Sequence, residues 1–342
     1  MRFPYKIIIG VAGIAAAIAW SVQDVDLKNV LRILSEMNRS LTAGVLILTT
    51  VNLVIRSIVW KFIVSPIKPV PLRYAISSYL IGVFSNLFLP LKLGDVAQGY
   101  SLGKRQDMSK ISVVSAVLIQ RVFEVTSLLL IMSTIGALFS FPLLFQKQTL
   151  VLGILILCGI CILLLLFRNR ERVVSSIESI VERFSPSTAK TISKSMDLFL
   201  TGTTAIHNLP DVLKIMMFSF LSWIVQILMV WLTAMALDIS IDFLASSVVL
   251  LIINLGLTIP LAPGNIGTFQ FFSIIALSLF SISKSKALAF AIIFQVIQAI
   301  PVIVAGGFSL FIEYLNGTRK SQGEVQKNKH STGAFYSRNT EI

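Results

Sequence analysis

Long apolar runs without charge dominate this 342-residue chain. They cover residues 41–55, 122–146 with Glu124 as the single exception, 148–167 and 215–237. About 20 apolar residues in a helix cross the hydrocarbon core of a bilayer, which is roughly 30 Å thick. Backbone groups inside lipid need partners within the chain, and these runs are too long and continuous for barrel strands. The sequence therefore predicts an all-α polytopic membrane protein.

Composition supports a lipid environment and gives no sign of a soluble enzyme. Hydrophobic residues make up 55% of the chain and charged residues 13%, whereas soluble domains carry about 25% charge. The net charge of +13 is no sign of nucleic acid, because the basic residues lie between the apolar runs, where they set orientation and contact anionic lipids. No nucleotide-binding, hydrolase or metalloprotease motif occurs, and we expect no cofactor and no metal.

The order of the segments predicts one transmembrane domain over residues 1–315 and a disordered tail over residues 316–342. The polar segment 168–209 has apolar residues at helical spacing, which is typical of a cytoplasmic helix lying on the membrane surface. A shorter amphipathic stretch covers residues 27–37. Full helices are predicted over residues 6–22 (uncleaved despite its likeness to a signal peptide), 41–64, 111–139, 149–167, 211–237 and 286–314.

Two further apolar segments, residues 72–103 and 243–280, are interrupted by nearly the same short sequence. The first interruption reads PLKLGD over residues 90–95, and the second reads PLAPGN over residues 260–265. A helix does not continue through such a run, because Pro lacks the amide donor and Gly favours other backbone conformations. Matching breaks in two halves of a membrane protein indicate a substrate site near the middle of the bilayer. The alternative is a chance match between two loops.

The distribution of Lys and Arg orients the chain and places both termini in the cytoplasm. This solution has about six full transmembrane helices and two opposed re-entrant or broken helical elements, as an inverted repeat would produce. In this solution Lys284 and Lys286 lie on the outer side, against the rule. An arrangement with eight or nine spans is the alternative. The basic residues cluster at 2–6, 61–73, 104–110, 168–172 and 319–329.

Charged residues near the first break are the candidates for a binding site. Arg121 and Glu124 lie inside an apolar span, where charge usually faces the bundle interior or a water-filled cavity. Spaced three apart, they can simply pair with each other. The functional alternative is that Arg121 binds the phosphate of a lipid head group, held in place by Glu124. Asp95 is expected to cap the helix after the break or to gate the site, and Lys92 adds a second positive group.

Three other polar features are weaker signals. In the second half, the turn from Pro263 to Gly267 opens a helix whose free amides favour anions, although an ordinary turn explains it equally. Arg56 is interpreted as reaching out to the cytoplasmic interface. Gln295 and Gln298 are expected to hydrogen-bond across helices.

Three stretches in order resemble the lysylphosphatidylglycerol synthetase transmembrane-region family, also called flippase-like or UPF0104 proteins. They are NLFLPLKLGD over residues 86–95, QRVFE over residues 120–124 and PLAPGNIGTF over residues 260–269. The resemblance covers most of residues 1–315 and implies a helical lipid-handling domain of the cell membrane. In the family's best-known members, such a domain translocates aminoacylated phospholipids and precedes a cytoplasmic synthase domain. No synthase domain is expected here, because only a short tail follows Tyr314.

Two positions depart from the family pattern. Where the family usually has Gly-Asp-x-x-Arg, this chain has Gln98 in place of the Arg. Where the family usually has Gly-x-x-Glu after the second break, this chain has Gln270. We hypothesise that Gln98 and Gln270 lie close together, so that an amide pair replaces a charged pair.

The sequence therefore predicts a membrane protein that binds or moves a lipid with an anionic phosphate head group. Two other functions stay open. One is a membrane-embedded transferase in which Asp95 or Glu124 is a base. The other is a non-transporting partner of a glycosyltransferase or lipid-synthesis enzyme. The predicted site comprises Asn86, Pro90, Lys92, Gly94, Asp95, Gln98, Arg121, Glu124, Asn254, Pro260, Pro263, Gly264, Gly267 and Gln270.

Overall fold

The computed structural model describes residues 19–21, 23, 25–138, 201, 209–257 and 263–315. Every regular element within these residues is helical, which confirms the all-α class. The predicted helices over 6–22 and 149–167, the segment 168–209 and the tail 316–342 lie wholly or almost wholly outside them. The helices are α1 (Leu27–Glu36), α2 (Arg39–Val64), α3 (Leu72–Phe88), α4 (Gly94–Gln106), α5 (Lys110–Leu138), α6 (Leu209–Ala236), α7 (Phe243–Gly256), α8 (Thr268–Ser278) and α9 (Lys284–Pro301).

Four helices in the described part of the chain are long and apolar enough to span a bilayer. They are α2, α5, α6 and α9, the last of which continues to Leu315 through a π turn at Val302–Gly306. All four match full crossings predicted from the sequence. Shorter apolar helices, α7 and α8, accompany them. The chain is therefore a multi-pass helical membrane protein.

Polar residues placed just before several helices fix where those helices begin. Asp26 accepts hydrogen bonds from the amides of Lys28 and Asn29 at the start of α1. Asn38 accepts from the amides of Ser40 and Leu41 at the start of α2. Side-chain acceptors of this kind satisfy amides that have no partner inside the helix. They explain why both starts lie within two residues of the predicted bounds.

Both broken segments are helix–turn–helix units, as predicted. In the first unit, α3 ends at Phe88, a short 3-10 turn covers Pro90–Lys92, and α4 follows. Leu91 and Lys92 have φ angles of 57° and 56°, a region that non-Gly residues rarely adopt. In the second unit, a 3-10 turn at Pro263–Asn265 lies between α7 and α8. Whether these units are re-entrant in the membrane stays a prediction.

The two breaks lie against each other. The turn Pro90–Lys92 contacts the turn Pro263–Asn265, which also packs on the end of α3. A side chain at Gly264 would bring a Cβ atom to within 3.2 Å of the Leu87 carbonyl oxygen. This meeting point of the two halves, called the junction below, is where a site shared by both broken units would lie.

The apolar core has two parts, one in each half. One part joins α6, α7, α8 and α9. The other part joins α3, α5 and the C-terminal end of α2. Helices α2 and α6 contribute residues to both parts and pack against each other. They therefore form the frame on which the two broken units are held.

Lys284 and Lys286, the exceptions to the basic-residue rule, both bond to backbone at other segments. Lys284 Nζ donates to the carbonyl oxygens of Trp20 and Gln23, each at 2.7 Å. Lys286 Nζ donates to the carbonyl oxygen of Asp238 at 2.6 Å, just past the end of α6. Carbonyls at a helix end lack partners within the helix. These lysines therefore satisfy backbone carbonyl groups of other segments, which gives a structural reason for their positions.

Candidate functional site

Arg121 is the centre of a polar network next to the junction. Its Nε and Nη2 atoms donate to the two carboxylate oxygens of Asp95, at 3.0 and 2.6 Å. Its Nη1 atom donates to Glu124 Oε2 at 2.7 Å. The predicted pairing of Arg121 with Glu124 is therefore present. The two-pronged bond to Asp95 additionally ties α5 to the start of α4.

Glu124 is shared between two guanidinium groups. Its second oxygen, Oε1, accepts from Gln120 Nε2 at 3.1 Å and from Arg56 Nη1 at 3.5 Å. Arg56 also donates from Nε to Ser222 Oγ at 3.0 Å and lies over the ring of Trp223. The expectation that Arg56 reaches out to the interface is wrong, because its side chain is only 17% exposed and points inward. Within a membrane span, a guanidinium group interacts more strongly with a buried carboxylate than with the polar groups of the membrane interface.

Asp95 does not cap α4. The residue before that helix is Leu93, and no side chain of its own caps the helix start. The Gly94 amide instead donates to Asn86 Oδ1 at 2.8 Å, and Asn86 Nδ2 donates to Asp95 Oδ1 at 2.9 Å. Asn86, on the preceding helix α3, therefore accepts the hydrogen bond from the first amide of α4. This leaves the Asp95 carboxylate for Arg121, a stronger partner than an amide.

Lys92 lies at the tip of the first break and is exposed. Within the described residues it makes no hydrogen bond and no ion pair, and it lies three residues before Asp95 along the chain. Its neighbour Pro90 starts the same turn. Lys92 is therefore a positive group close to the network and not engaged by it.

Gln98 and Gln270 do not form the hypothesised amide pair. Gln98 is buried and donates to Gln120 Oε1 at 3.0 Å. Gln270 donates to Gln295 Oε1 at 2.6 Å. Each glutamine thus bonds to a second glutamine on the next helix of its own half, α5 or α9. The two halves repeat the same amide contact, which sequence comparison of the breaks alone did not reveal.

The second break is held by amide side chains. Gln270 Oε1 accepts from the Gly267 amide at 2.7 Å, and Gln295 Nε2 donates to the Gly264 carbonyl oxygen at 2.7 Å. The cross-helix bond predicted for Gln295 is therefore confirmed. The Gly267 amide is already taken, so it offers no free donor for an anion.

The remaining predicted residues have other places. Asn254 donates to the Leu250 carbonyl oxygen within α7 at 2.8 Å. Pro260 lies outside the described residues, and Pro263 begins the second turn. The structure thus joins Asn86, Gly94, Asp95, Gln98, Arg121 and Glu124 in one network, with Lys92 beside it. The second-half residues lie in the adjoining break.

Sequence reasoning missed Arg56, Gln120 and Ser222 as parts of this network. Ser222 donates in turn to Asn52 Oδ1 at 2.8 Å, so the network reaches from α4 across α5 to α2 and α6. One available signal was Arg56 itself, a charge in an apolar helix. Its partner, Glu124, lies 68 residues further along the chain, so only the fold reveals the contact.

Two comparisons with known proteins cover this region. The family model described as lysylphosphatidylglycerol synthase TM region matches residues 7–306, which include both breaks and Arg121. A UPF0104 membrane protein from Methanocaldococcus jannaschii is 25% identical over 245 residues, corresponding to 71% of this chain and 99% of that protein. The family match includes all of the described helices from α1 to α9.

Proposed function

The chain belongs to the lysylphosphatidylglycerol synthase transmembrane-region family, and from this premise we propose that it binds a membrane lipid by an anionic phosphate head group and moves it between leaflets. The head group is contacted at the junction by Arg121 and Lys92. The protein lies in the cell membrane with both termini in the cytoplasm. The two broken units provide the polar path through the bilayer.

The observation that carries the proposal is the two-pronged bond between Arg121 and Asp95 beside the junction. A guanidinium group binds carboxylate and phosphate in the same forked geometry. The Asp95 carboxylate therefore occupies the position that a phosphate would take. The Arg121 side chain is 35% exposed, so an incoming head group can reach the guanidinium and compete with Asp95 for its fork.

Binding of a head group then exchanges one anion for another. Glu124 holds Arg121 from the opposite side at 2.7 Å, so the guanidinium keeps its place when Asp95 leaves. Asp95 keeps its bond to Asn86 and stays hydrogen-bonded during the exchange. Because Asp95 lies in the first turn of α4, this exchange links head-group binding to the position of the first broken unit.

The same contacts weigh against the transferase alternative. All four carboxylate oxygens of Asp95 and Glu124 accept from guanidinium or amide groups. A general base has to be available to the proton that it abstracts. Carboxylates held by cations in this way suit positioning and gating better than proton abstraction.

The test uses the purified protein in phosphatidylcholine liposomes with trace phosphatidylglycerol carrying a label on one acyl chain. Quenching of the outer-leaflet label measures movement between leaflets. Arg121→Lys keeps the charge but loses the fork, and we expect it to slow movement at least about tenfold, which corresponds to about 1.4 kcal/mol. Arg73→Lys, at an exposed position on α3, is the matched control and should move lipid at the unmodified rate.

Two results would overturn the proposal. The first is a folded, unmodified protein that moves no lipid of any charge. The second is equal rates for the unmodified protein and Arg121→Lys. Thermal unfolding in detergent, measured for each variant, separates a lost function from a lost fold.

A further inference from the structure

We propose that the site carries one net positive charge and therefore selects lipids whose head group has a single net negative charge, namely phosphodiester lipids with an uncharged alcohol on the phosphate, such as phosphatidylglycerol. This inference rests on the proposed lipid site and names its substrate class. Zwitterionic lipids are disfavoured because they bring no net charge. Phosphomonoester lipids, which approach two negative charges, are disfavoured because they bring one too many.

The polar network around Arg121 is neutral by itself. Its two guanidinium groups, of Arg56 and Arg121, face the two carboxylates of Asp95 and Glu124. The neutrality depends on Arg56, because without it Glu124 and Asp95 would share Arg121 alone. Buried ions without such partners are strongly unfavourable.

Among the described residues at the junction, Lys92 adds one positive charge. It lies in the turn that contacts the second break. It lies three residues before Asp95, which is in the first turn of α4, and it makes no ion pair with any described residue. An anion held between Arg121 and Lys92 would therefore bring the whole site to neutrality.

The second half supplies nothing that would cancel this charge. Between Asp242 and Glu313 the sequence contains no Asp or Glu. Asp242 is used at the start of α7, and Glu313 pairs with Arg105 on α4. At the second break itself the polar side chains, which include the amides of Gln270 and Gln295, are uncharged. The junction is thus cationic on one side and neutral on the other.

The two cations also match the shape of a phosphodiester. Such a group has two non-bridging oxygens, and a guanidinium fork with one ammonium group is sufficient to engage them. A phosphomonoester has a third oxygen and a further charge, for which the described residues around the junction hold no additional cation. In a medium of low polarity, an unmatched unit charge is strongly unfavourable.

Lys92→Gln tests the charge count cleanly. The substitution removes the charge without breaking a hydrogen bond seen in the described residues, since Lys92 makes none. Lys104→Gln removes an equal charge from an exposed position near the other end of α4. This control keeps the total charge of the two variant proteins the same, so a difference between them reports the site.

The experiment measures leaflet exchange of three acyl-labelled probes in phosphatidylcholine liposomes at about pH 8.5. The probes are phosphatidylglycerol, phosphatidylcholine and phosphatidic acid, the last with close to two charges at this pH. We expect the unmodified protein and Lys104→Gln to move phosphatidylglycerol about tenfold faster than either other probe. We expect Lys92→Gln to lose that preference over phosphatidylcholine.

Equal rates for all probes, or an unchanged preference in Lys92→Gln, would overturn the inference and leave lipid movement standing. If no probe moves, the proposed function fails. Retention of the same probes by purified protein, measured by native mass spectrometry, then decides the inference alone. Preferential retention of phosphatidylglycerol that is lost in Lys92→Gln supports it, and retention without preference, or no retention, overturns it.

Discussion

Glu124 lies between two guanidinium groups and decides the charge of the buried network. Its oxygens accept from Arg121 at 2.7 Å and from Arg56 at 3.5 Å. Removing a single partner from a buried ion pair leaves an uncompensated charge, which is far more unfavourable than removing both partners. At the residue scale, Arg56 and Glu124 should therefore behave as a unit in stability measurements.

Arg56→Met is expected to lower the free energy of unfolding by about 3 kcal/mol, because it leaves Glu124 with a single cationic partner. The double variant Arg56→Met with Glu124→Gln should lose at least about 1 kcal/mol less than the sum of the two single variants. Denaturant unfolding in mixed micelles measures these differences. Arg73→Met, at an exposed site, should change stability little. Additive effects of the two single variants would show that the contact is not energetically coupled.

At the scale of single elements, close packing of α3 on α4 gives the first broken unit its shape. A Cβ atom added at Gly82 would lie 2.6 Å from the Cβ atom of Gln98 and 3.1 Å from the Gly94 carbonyl oxygen. The neighbouring atoms on α4 are thus too near to give way without movement of the helix. Gly44, in the second turn of α2, has no atom within 4 Å of such a position.

The two glycines should respond to alanine in opposite directions. Gly82→Ala forces α3 and α4 apart and should destabilise the protein by about 1–3 kcal/mol. Gly44→Ala should stabilise it by about 0.5–1 kcal/mol, because alanine favours a helix and meets open space there. Thermal unfolding of both variants in the same detergent measures the difference. A melting temperature for Gly82→Ala at or above the unmodified value would contradict the close packing.

Helices and breaks were predictable from sequence, whereas the partners of the charged side chains were not. Pro90 and Gly94 disfavour a continuous helix. The end of α3 and the start of α4 therefore follow from local chemistry. The cap expected at Asp95 depends on competition between a nearby amide and Arg121, which lies 26 residues away. The inward turn of Arg56 depends on Glu124 in the same way. Which partner such a side chain chooses depends on how the helices pack, and local sequence patterns do not contain that information.

At the scale of the whole molecule, α9 connects the two halves. Its first part packs on α8 and α1, and the π turn at Val302–Gly306 then packs on α3. The turn follows Pro301, which lacks the amide needed to continue a regular helix. Beyond the turn, Glu313 accepts from Ser101 and pairs with Arg105 at 3.1 Å. One helix thus holds the second broken unit with one end and the first with the other.

Glu313→Gln should loosen the first broken unit more than the second. Both side chains of the pair are less than a fifth exposed, so loss of this charged hydrogen bond should weaken α4 by about 1 kcal/mol, equivalent to a roughly fivefold rise in local opening. Hydrogen exchange in detergent should then be faster in α4 and unchanged in α8. Glu36→Gln, exposed on α1, is the matched control. Equal acceleration of α4 and α8 would mean that the halves move as one body, and no acceleration would mean that Glu313 does not hold α4. A rise confined to α4 would make the end of α9 the element that sets how freely the first break opens toward its lipid.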